Sequence, residues 1–143
     1  MKLKNSLEEA LYVLLILAES HDGKPIKCAV ISQQLGVSDS YLKKILRKLV
    51  IGQVINSSIS KGGGFSLARP LDEIKMLDVF YAIEGQDSYI RSQHLAERVF
   101  TSIDEAQRVE ENMLHFFQDG ELLLRNHLAQ YSVGDLIKTN ESG

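Results

Sequence analysis

The feature that most constrains this chain is a basic amphipathic segment that leads directly into a glycine-rich hairpin pattern, over residues 37–69. Between Ser38 and Gly52, apolar residues recur at helical spacing on one side, while hydroxyl and basic side chains occupy the other. Ser38 is a favourable N-cap, Asp39 suits the positive end of the helix dipole, and Gly52 suits a left-handed C-terminal residue. A helix with these two faces can pack on a core while it faces a polyanion.

The residues after this helix predict a two-stranded hairpin. Residues 53–59 alternate as a short strand, residues 62–64 are three glycines that allow a tight turn, and Phe65 and Leu67 resume the alternation. A hairpin that follows a basic helix is the wing of a winged helix-turn-helix, an arrangement that binds DNA. Lys61, at the expected tip of this wing, would contact the phosphate backbone.

Helical patterns flank this segment on both sides. A capping box at residues 6–9 predicts a first helix over roughly residues 7–20, and a short second helix follows at about residues 28–35. Gly36 then turns the chain into the basic helix, so the three helices form a helix-turn-helix. Beyond the wing, the apolar spacing over residues 76–83 predicts a fourth helix.

A long apolar helix dominates the C-terminal part of the sequence. A second capping box at residues 102–105 opens it, and its pattern runs to about Tyr131, with Gly120 as a point where it would bend or break. The apolar stripe is too long for so small a domain to cover, and this favours pairing with a second copy of the chain. The interface residues expected on this basis are Ile103, Ala106, Val109, Met113, Phe117, Leu124, Leu128 and Tyr131.

These patterns predict a mainly α fold with a small β wing. We expect a winged helix-turn-helix DNA-binding domain in residues 1–85, dimerisation helices in residues 86–137 and a flexible tail in residues 138–143. Charge is distributed unevenly along the chain. Residues 1–70 carry a net charge of +5 and the remaining residues a net charge of −8, which together give −3 for the whole chain. A basic front and an acidic rear would orient the molecule on DNA.

The sequence also excludes several classes of protein. Its longest apolar run, residues 11–18, has eight residues, whereas a membrane helix needs roughly 20. We find no signal-peptide pattern, nucleotide-binding glycine loop, nucleophile motif or metal-binding histidine spacing, so we expect neither an enzyme nor a metalloprotein. The single cysteine, Cys28, cannot form an internal disulfide, and a reducing cytoplasm is the expected location.

Cys28 has two interpretations. It lies at the predicted start of the second helix beside Lys27, where the helix dipole and the positive charge would lower the thiol pKa, as a redox sensor requires. The alternative, which we favour, is a small and partly buried hydrophobic residue.

The order of elements and four sequence phrases resemble the Rrf2 family of bacterial transcriptional regulators, which includes the iron–sulfur cluster regulator. The phrases are V-S-D-S-Y-L-K-K-I-L-R-K-L at residues 37–49, G-G-G-F-S-L-A-R-P at residues 62–70, I-K-M-L-D-V-F-Y-A-I-E-G at residues 74–85 and L-A-Q-Y-S-V-G-D-L-I at residues 128–137. The resemblance implies a dimer joined through the long C-terminal helix. It also implies that the third helix enters the major groove and that residues 57–64 of the wing lie near the minor groove.

The expected partner is therefore double-stranded DNA. Lys43 and Arg47 would reach base edges, and Lys44, Lys48 and Lys61 would mainly contact phosphate. The full set of expected DNA-binding residues is Ser38, Ser40, Tyr41, Lys43, Lys44, Arg47, Lys48, Lys61, Gly62 and Gly63. We expect a homodimeric repressor at an inverted-repeat operator; the alternative is a winged helix that serves as a protein-binding adaptor without sequence-specific DNA binding.

The region that binds the cluster in relatives departs from the family pattern. Cluster-binding relatives place three cysteines between helix four and the long helix, but residues 89–106 contain none, with Ser92, Arg98 and Asp104 near the expected places. Because an iron–sulfur cluster needs thiolate ligands, we expect no cluster and no other cofactor. Control would then come from a small-molecule effector or a partner protein.

The wing departs from the family pattern as well. Ile59 and Ser60 stand where many relatives have an arginine followed by a glycine. An arginine at this place could enter a narrow, negative minor groove, so its replacement would shift the contacts of the wing towards Lys61.

Overall fold

The computed structural model describes residues 3–59 and 62–139, which divide between two units. The first unit consists of residues 3–85 together with residues 128–139, and the second consists of residues 86–127. The predominance of helices and the single two-stranded sheet among the described residues confirm the predicted mainly α fold with a small β wing.

The first unit begins with the three helices of the predicted helix-turn-helix: α1 (Asn5–Ala18), α2 (Cys28–Leu35) and α3 (Asp39–Ile51). The bounds of α2 agree with the sequence prediction, but the capping box predicted for α1 is wrong. Lys4 is the N-cap of α1, and no side chain caps the helix there. Instead, the Lys4 amide donates to the Glu84 carboxylate at 2.7 Å, so a distant partner and not Ser6 fixes where the helix begins.

The core of the first unit forms where the apolar faces of α1, α3 and α4 (Met76–Glu84) meet. Each fully buried Leu, Ile or Val side chain in such a core contributes about 1.5–3 kcal/mol to the free energy of unfolding. The buried residues that these three helices contribute are Ala10, Val13, Leu14, Ile16, Leu17, Leu42, Ile45, Leu46, Leu49, Val79 and Ile83. The basic helix is therefore fixed by its apolar side, as its amphipathic pattern predicts.

Gly52 ends α3, but not in the left-handed conformation expected from the sequence. Its backbone angles are φ −75° and ψ 1°, and the positive φ of 60° belongs to the next residue, Gln53. The structure gives a different reason for the glycine, because a Cβ atom at residue 52 would lie 2.8 Å from the Cβ of Ala82 in α4. Gly52 thus permits a close approach between the end of α3 and the middle of α4.

The close contact at Gly52 predicts that Gly52→Ala lowers the free energy of unfolding by about 1–3 kcal/mol, the usual cost of overpacking. Chemical denaturation monitored by circular dichroism measures this loss. Ala82→Gly alone should cost about 1 kcal/mol through helix propensity. The double variant Gly52→Ala/Ala82→Gly should nevertheless be no less stable than Gly52→Ala, because the second change restores the missing space; simple addition of the two losses would contradict the steric explanation.

The wing consists of β1 (Ile55–Ser58) and β2 (Gly64–Leu67), which pair antiparallel with Ile55 opposite Leu67 and Ser58 opposite Gly64. The other edge of β2 is also held, because Ile26 and Phe65 exchange two backbone hydrogen bonds of 2.8 Å. A Cβ atom at Gly64 would lie 2.5 Å from the Ile26 carbonyl oxygen. The third glycine of the turn is therefore needed for the approach of this neighbouring segment.

The second unit contains α5 (Ala96–Val99) and most of α6 (Ile103–Leu128). The Glu105 amide donates to the Ser102 hydroxyl at 3.3 Å, which provides one half of the predicted capping box. The helix continues without interruption through Gly120, where the sequence suggested a bend or break. Within this fully described helix of 26 residues, Ala106 is the only one that is buried.

After α6 the chain packs with the first unit. The Met76 amide donates to the Tyr131 carbonyl at 2.9 Å, and the Val133 amide donates to the Ile74 carbonyl at 2.8 Å. The last turn has a capping box, because the Ser132 and Asp135 side chains each accept a hydrogen bond from the backbone amide of the other residue. Residues 128–139 therefore belong with the first unit, whereas the sequence grouped residues 86–137 together.

The segment interpreted as a flexible tail is held at its first residue. The Lys138 ammonium group lies 2.9 Å from the Asp135 carboxylate and 3.5 Å from that of Asp72. The hydrogen bond from Lys138, together with the one from the Ser132 amide, lowers the pKa of the Asp135 carboxyl. Residues 140–143 lie outside the described residues. In the part of the chain that the structure describes, no helix has the length and apolar character needed to span a bilayer.

Candidate nucleic-acid interface

The turn that leads into α3 is fixed by hydrogen bonds from both of its sides. The Tyr41 amide donates to the Ser38 hydroxyl at 3.2 Å, which confirms Ser38 as the N-cap. The Ser32 hydroxyl of α2 donates to the carboxylate of Asp39, the first residue of α3. Gly36 ends α2 in the left-handed region with φ 71°. These contacts set the angle at which α3 leaves the turn.

The solvent side of α3 carries the predicted basic face. Ser40, Lys43, Lys44 and Arg47 are exposed, while the opposite side of the helix is buried in the core. None of the ion pairs among the described residues involves Lys43, Lys44 or Arg47. Three cations without a carboxylate partner in the described part of the chain therefore project from one helix face. Ile51, 70% exposed at the end of this face, adds an apolar group that could contact a thymine methyl.

Tyr41 and Lys48 lie on the flanks of this face. The Tyr41 side chain is 38% exposed. The interaction of its hydroxyl with the carboxylate of Glu9 in α1 raises the pKa of the phenol. Lys48 is half-buried, so its stem packs along the domain while its ammonium group can reach outwards. In this arrangement the Tyr41 hydroxyl interacts with Glu9 of α1, and Lys48 suits a phosphate contact beside the groove.

The wing follows α3 in the sequence and carries exposed polar side chains on its first strand. Asn56, Ser57 and Ser58 are exposed on β1, and Ile59 beyond them is fully exposed. Gly62 is exposed with φ 93°, and Gly63 is half-buried. Lys61 lies outside the described residues.

Arg69 is a structural residue of this region that joins three segments of the chain. Its guanidinium group donates to the Gln53 carbonyl at 3.0 Å, to the Glu73 carbonyl at 2.9 Å and to the Asp78 carboxylate at 2.8 Å. These bonds join the segment between α3 and β1, the turn after β2 and the first turn of α4. No local sequence pattern predicts that Arg69 joins these segments, because its partners lie four to sixteen residues away along the chain.

Cys28 has the environment of a packed thiol. It is half-buried, and its Sγ atom lies 3.9 Å from the Asp39 carbonyl oxygen as a weak donor. Burial, and then the negative charge of Asp39, raise the pKa of the thiol, while Lys43 acts in the opposite direction. A raised pKa disfavours the thiolate that redox chemistry requires, so the structure supports the interpretation of Cys28 as a small hydrophobic residue.

The predicted interface residues of α6 and the segment after it are mostly accessible in the single chain. Ala106 differs from the rest, because it is only 1% exposed. Leu124 and Leu128 are half-buried. The exposed members of the set are Ile103, Val109, Met113, Phe117 and Tyr131.

The region where relatives bind a cluster does not offer the ligands for one. Residues 89–106 lack cysteine, and Ser92 donates its hydroxyl to the Glu110 carboxylate. His94 Nδ1 lies 2.9 Å from the same carboxylate oxygen, so the polar groups here bind one another. Among the residues that the structure describes, no group of three His, Cys, Asp or Glu side chains is placed to hold a metal ion. This donor set does not fit an iron–sulfur cluster, which requires thiolates.

Comparison with known sequences identifies the family to which this sequence is similar. Residues 3–139 match the Rrf2 family, described as an iron-dependent transcriptional regulator. YffB of Lactococcus lactis, named as an HTH-type transcriptional regulator, is 41% identical over 102 residues, which cover 71% of this chain and 65% of YffB. YwgB of Bacillus subtilis carries the same description and is 40% identical over 70% of this chain and 64% of YwgB. The chain thus spans just under two thirds of the length of these curated relatives.

Comparison with solved structures supports the fold. CymR of Bacillus subtilis, described as its global cysteine regulator, superposes with a TM-score of 0.64 at 20% identity and covers 95% of each chain. A transcriptional regulator from Listeria innocua superposes with a TM-score of 0.70 at 22% identity, covering 99% of this chain and 90% of that one.

Proposed function

Since this chain belongs to the Rrf2 family of transcriptional regulators, we propose that it binds an inverted-repeat DNA operator as a homodimer and represses transcription there. The family consists of regulators and not of enzymes. The proposed partners are double-stranded DNA and a second copy of the chain. The proposed location is the cytoplasm, where a regulator of this kind meets its operator.

The observation that carries the proposal is the solvent face of α3. Lys43, Lys44 and Arg47 project there without a carboxylate partner among the described residues, on a helix whose other side is locked in the core. An exposed helix of this kind fits the major groove, where Arg and Lys read guanine and neutralise phosphate. The wing then lies beside the groove and approaches the neighbouring backbone.

The exposed apolar surface of α6 supports the homodimer. A helix of 26 residues with one buried side chain leaves large apolar groups in water, which a stable single chain avoids. Burial against the same surface of a second copy removes them from water and gives a twofold pair of α3 helices. A twofold protein reads an inverted repeat, with half-site centres separated by about one or two helical turns.

We propose that the regulator responds to a small molecule or to a partner protein and not to a cluster. The supporting observation is the donor set of residues 89–110, in which hydroxyl, imidazole and carboxylate groups bind one another and thiolates are lacking. Repression is the simplest result of such a dimer on promoter DNA, because a bound protein excludes polymerase from the same site.

Selection of bound sequences from random double-stranded DNA, followed by titration in increasing salt, tests the proposal. We expect a palindromic consensus and an affinity that falls steeply between about 50 and 200 mM salt, because cations on α3 displace counterions from phosphate. Recovery of no consensus, together with binding that is flat in salt, would instead favour a protein-binding adaptor.

A further inference from the structure

Gly120 lies within α6, and the described part of its own chain shows no steric need for a glycine there. The helix is continuous from Ile103 to Leu128, and Gly120 does not have the positive φ that favours glycine. A Cβ atom at this position would meet none of the described atoms of the chain within 4 Å, apart from those of its chain neighbours and its own helix backbone. Glycine in a helix interior costs about 1 kcal/mol relative to alanine. The described part of the chain therefore contains no steric reason for this glycine.

The four helical neighbours of Gly120 are all large and apolar. Phe116 and Phe117 precede it by four and three residues, and Leu123 and Leu124 follow it by three and four. On a helix of 3.6 residues per turn, all four lie within about 60° of the glycine. Phe116 and Leu123 are each 71% exposed, and Phe117 is 58% exposed. Gly120 is thus a notch in the centre of an exposed apolar surface.

The notch opens into a groove of about 570 Å³ within the second unit. Tyr89 and Ile90 line it from the segment before α5, and Phe116, Phe117 and Leu124 line it from α6. Its ionisable group, Glu121, already accepts hydrogen bonds from the Ser88 hydroxyl at 3.0 Å and from the Tyr89 amide at 2.7 Å. Apart from the Tyr89 hydroxyl, the remaining side chains that line the groove are apolar.

These features favour a second copy of the chain over a small ligand as the occupant. A small-molecule site usually offers a few free polar groups that orient the ligand, and here the carboxylate of Glu121 is already engaged by the chain itself. The exposed surface also extends beyond the groove to Leu123, which a small ligand in the groove would leave in water. A partner helix can cover both the groove and Leu123.

We infer that α6 helices from two copies of this chain cross at Gly120. Each notch admits the backbone of the other helix, and the surrounding Phe and Leu side chains of each copy pack around the crossing point. Residues on the axis of a twofold interface meet their own copies, so a crossing point at Gly120 places the two Gly120 residues opposite each other across the axis. This inference rests on the proposed homodimer and specifies its point of closest contact.

Substitution of Gly120 separates helix stability from association. Gly120→Ala should increase the helix content seen by circular dichroism, yet it should weaken dimerisation about 10-fold, and Gly120→Leu about 100-fold, because added atoms fill the notch. Gln118→Leu is the matched control, since residue 118 lies about 160° from Gly120 around the helix and should leave dimerisation unchanged. Sedimentation equilibrium over a range of concentrations measures all of these variants.

A cysteine at the crossing point provides a positive test. In a Cys28→Ser background, Gly120→Cys should form an interchain disulfide under mild oxidation, because the Cα atoms at a close crossing fall within the roughly 4.4–6.8 Å that the bond requires. Gln118→Cys in the same background should remain reduced.

The outcomes separate this inference from the proposed dimer. If the wild-type chain sediments as a monomer, the proposed homodimer itself is wrong. A dimeric wild type with an equally dimeric Gly120→Leu variant, or with an unreactive Gly120→Cys variant, overturns only the crossing point. Binding of the apolar dye ANS to dimeric wild-type protein, lost in a Gly120→Leu variant that still dimerises, would assign the groove to a small ligand instead.

Discussion

Arg47→Ala is expected to lower operator affinity by about 10–100-fold per half-site and to relax the preference for the base pair that Arg47 contacts. The expectation follows from its position at the centre of the exposed face of α3, where no described carboxylate competes for its guanidinium group. A bidentate arginine–guanine contact contributes about 1–3 kcal/mol of discrimination. Fluorescence anisotropy with a panel of operator variants, each changed at one base pair, measures both effects.

Two control variants distinguish the loss of a contact with a base from the loss of a positive charge. Lys48→Ala should weaken all operator variants about equally and reduce the salt slope by about one per half-site, because a flanking lysine contacts phosphate. Arg108→Ala removes a charge from an exposed residue of α6 and should change neither affinity nor preference. An Arg47→Ala variant that keeps the wild-type ranking of operator sequences would exclude base reading by this residue.

Met113→Glu should convert the protein into monomers and reduce operator affinity by 100-fold or more. Met113 is 39% exposed on the apolar side of α6, so a carboxylate there is tolerated in a monomer but would be buried without a partner in a dimer. The loss of affinity follows because two linked half-site contacts assist each other through a high effective concentration. Analytical ultracentrifugation and DNA titration on the same preparation measure the two effects.

Gln118→Glu controls for the added charge. Residue 118 is exposed on the other side of α6 and should remain dimeric with wild-type affinity as a glutamate. Leu124→Glu should behave like Met113→Glu, because both residues belong to the same stripe. If Met113→Glu remained dimeric at micromolar concentration, the interface would lie on a different surface.

Local sequence signals predicted the recognition element well. The N-cap role of Ser38 and the bounds of α2 depend on hydrogen bonds and turns between residues close in sequence, so the pattern contains the information needed. The separation of buried leucines from exposed cations on α3 follows from helical periodicity alone. These features are determined before any long-range contact forms.

Long-range contacts account for what the sequence did not predict. Ser6 has the capping-box pattern, but a bond between the Lys4 amide and Glu84, 80 residues away, starts the helix earlier. Gly52 has the pattern of a helix C-cap, but Ala82 explains the glycine. Tyr41 belongs to the basic face by spacing, yet Glu9 of α1 raises the pKa of its phenol. In each case the deciding partner lies far along the chain, where periodicity carries no information.

The double-sided pairing of β2 has a consequence for the thermodynamics of binding. One edge of β2 pairs with β1 and the other with Ile26, while Arg69 ties the ends of the hairpin to α4. The base of the wing is therefore already ordered before any DNA arrives. Association then needs little folding of the protein, and its heat-capacity change should reflect the apolar area covered at the interface and not the much larger change of coupled folding.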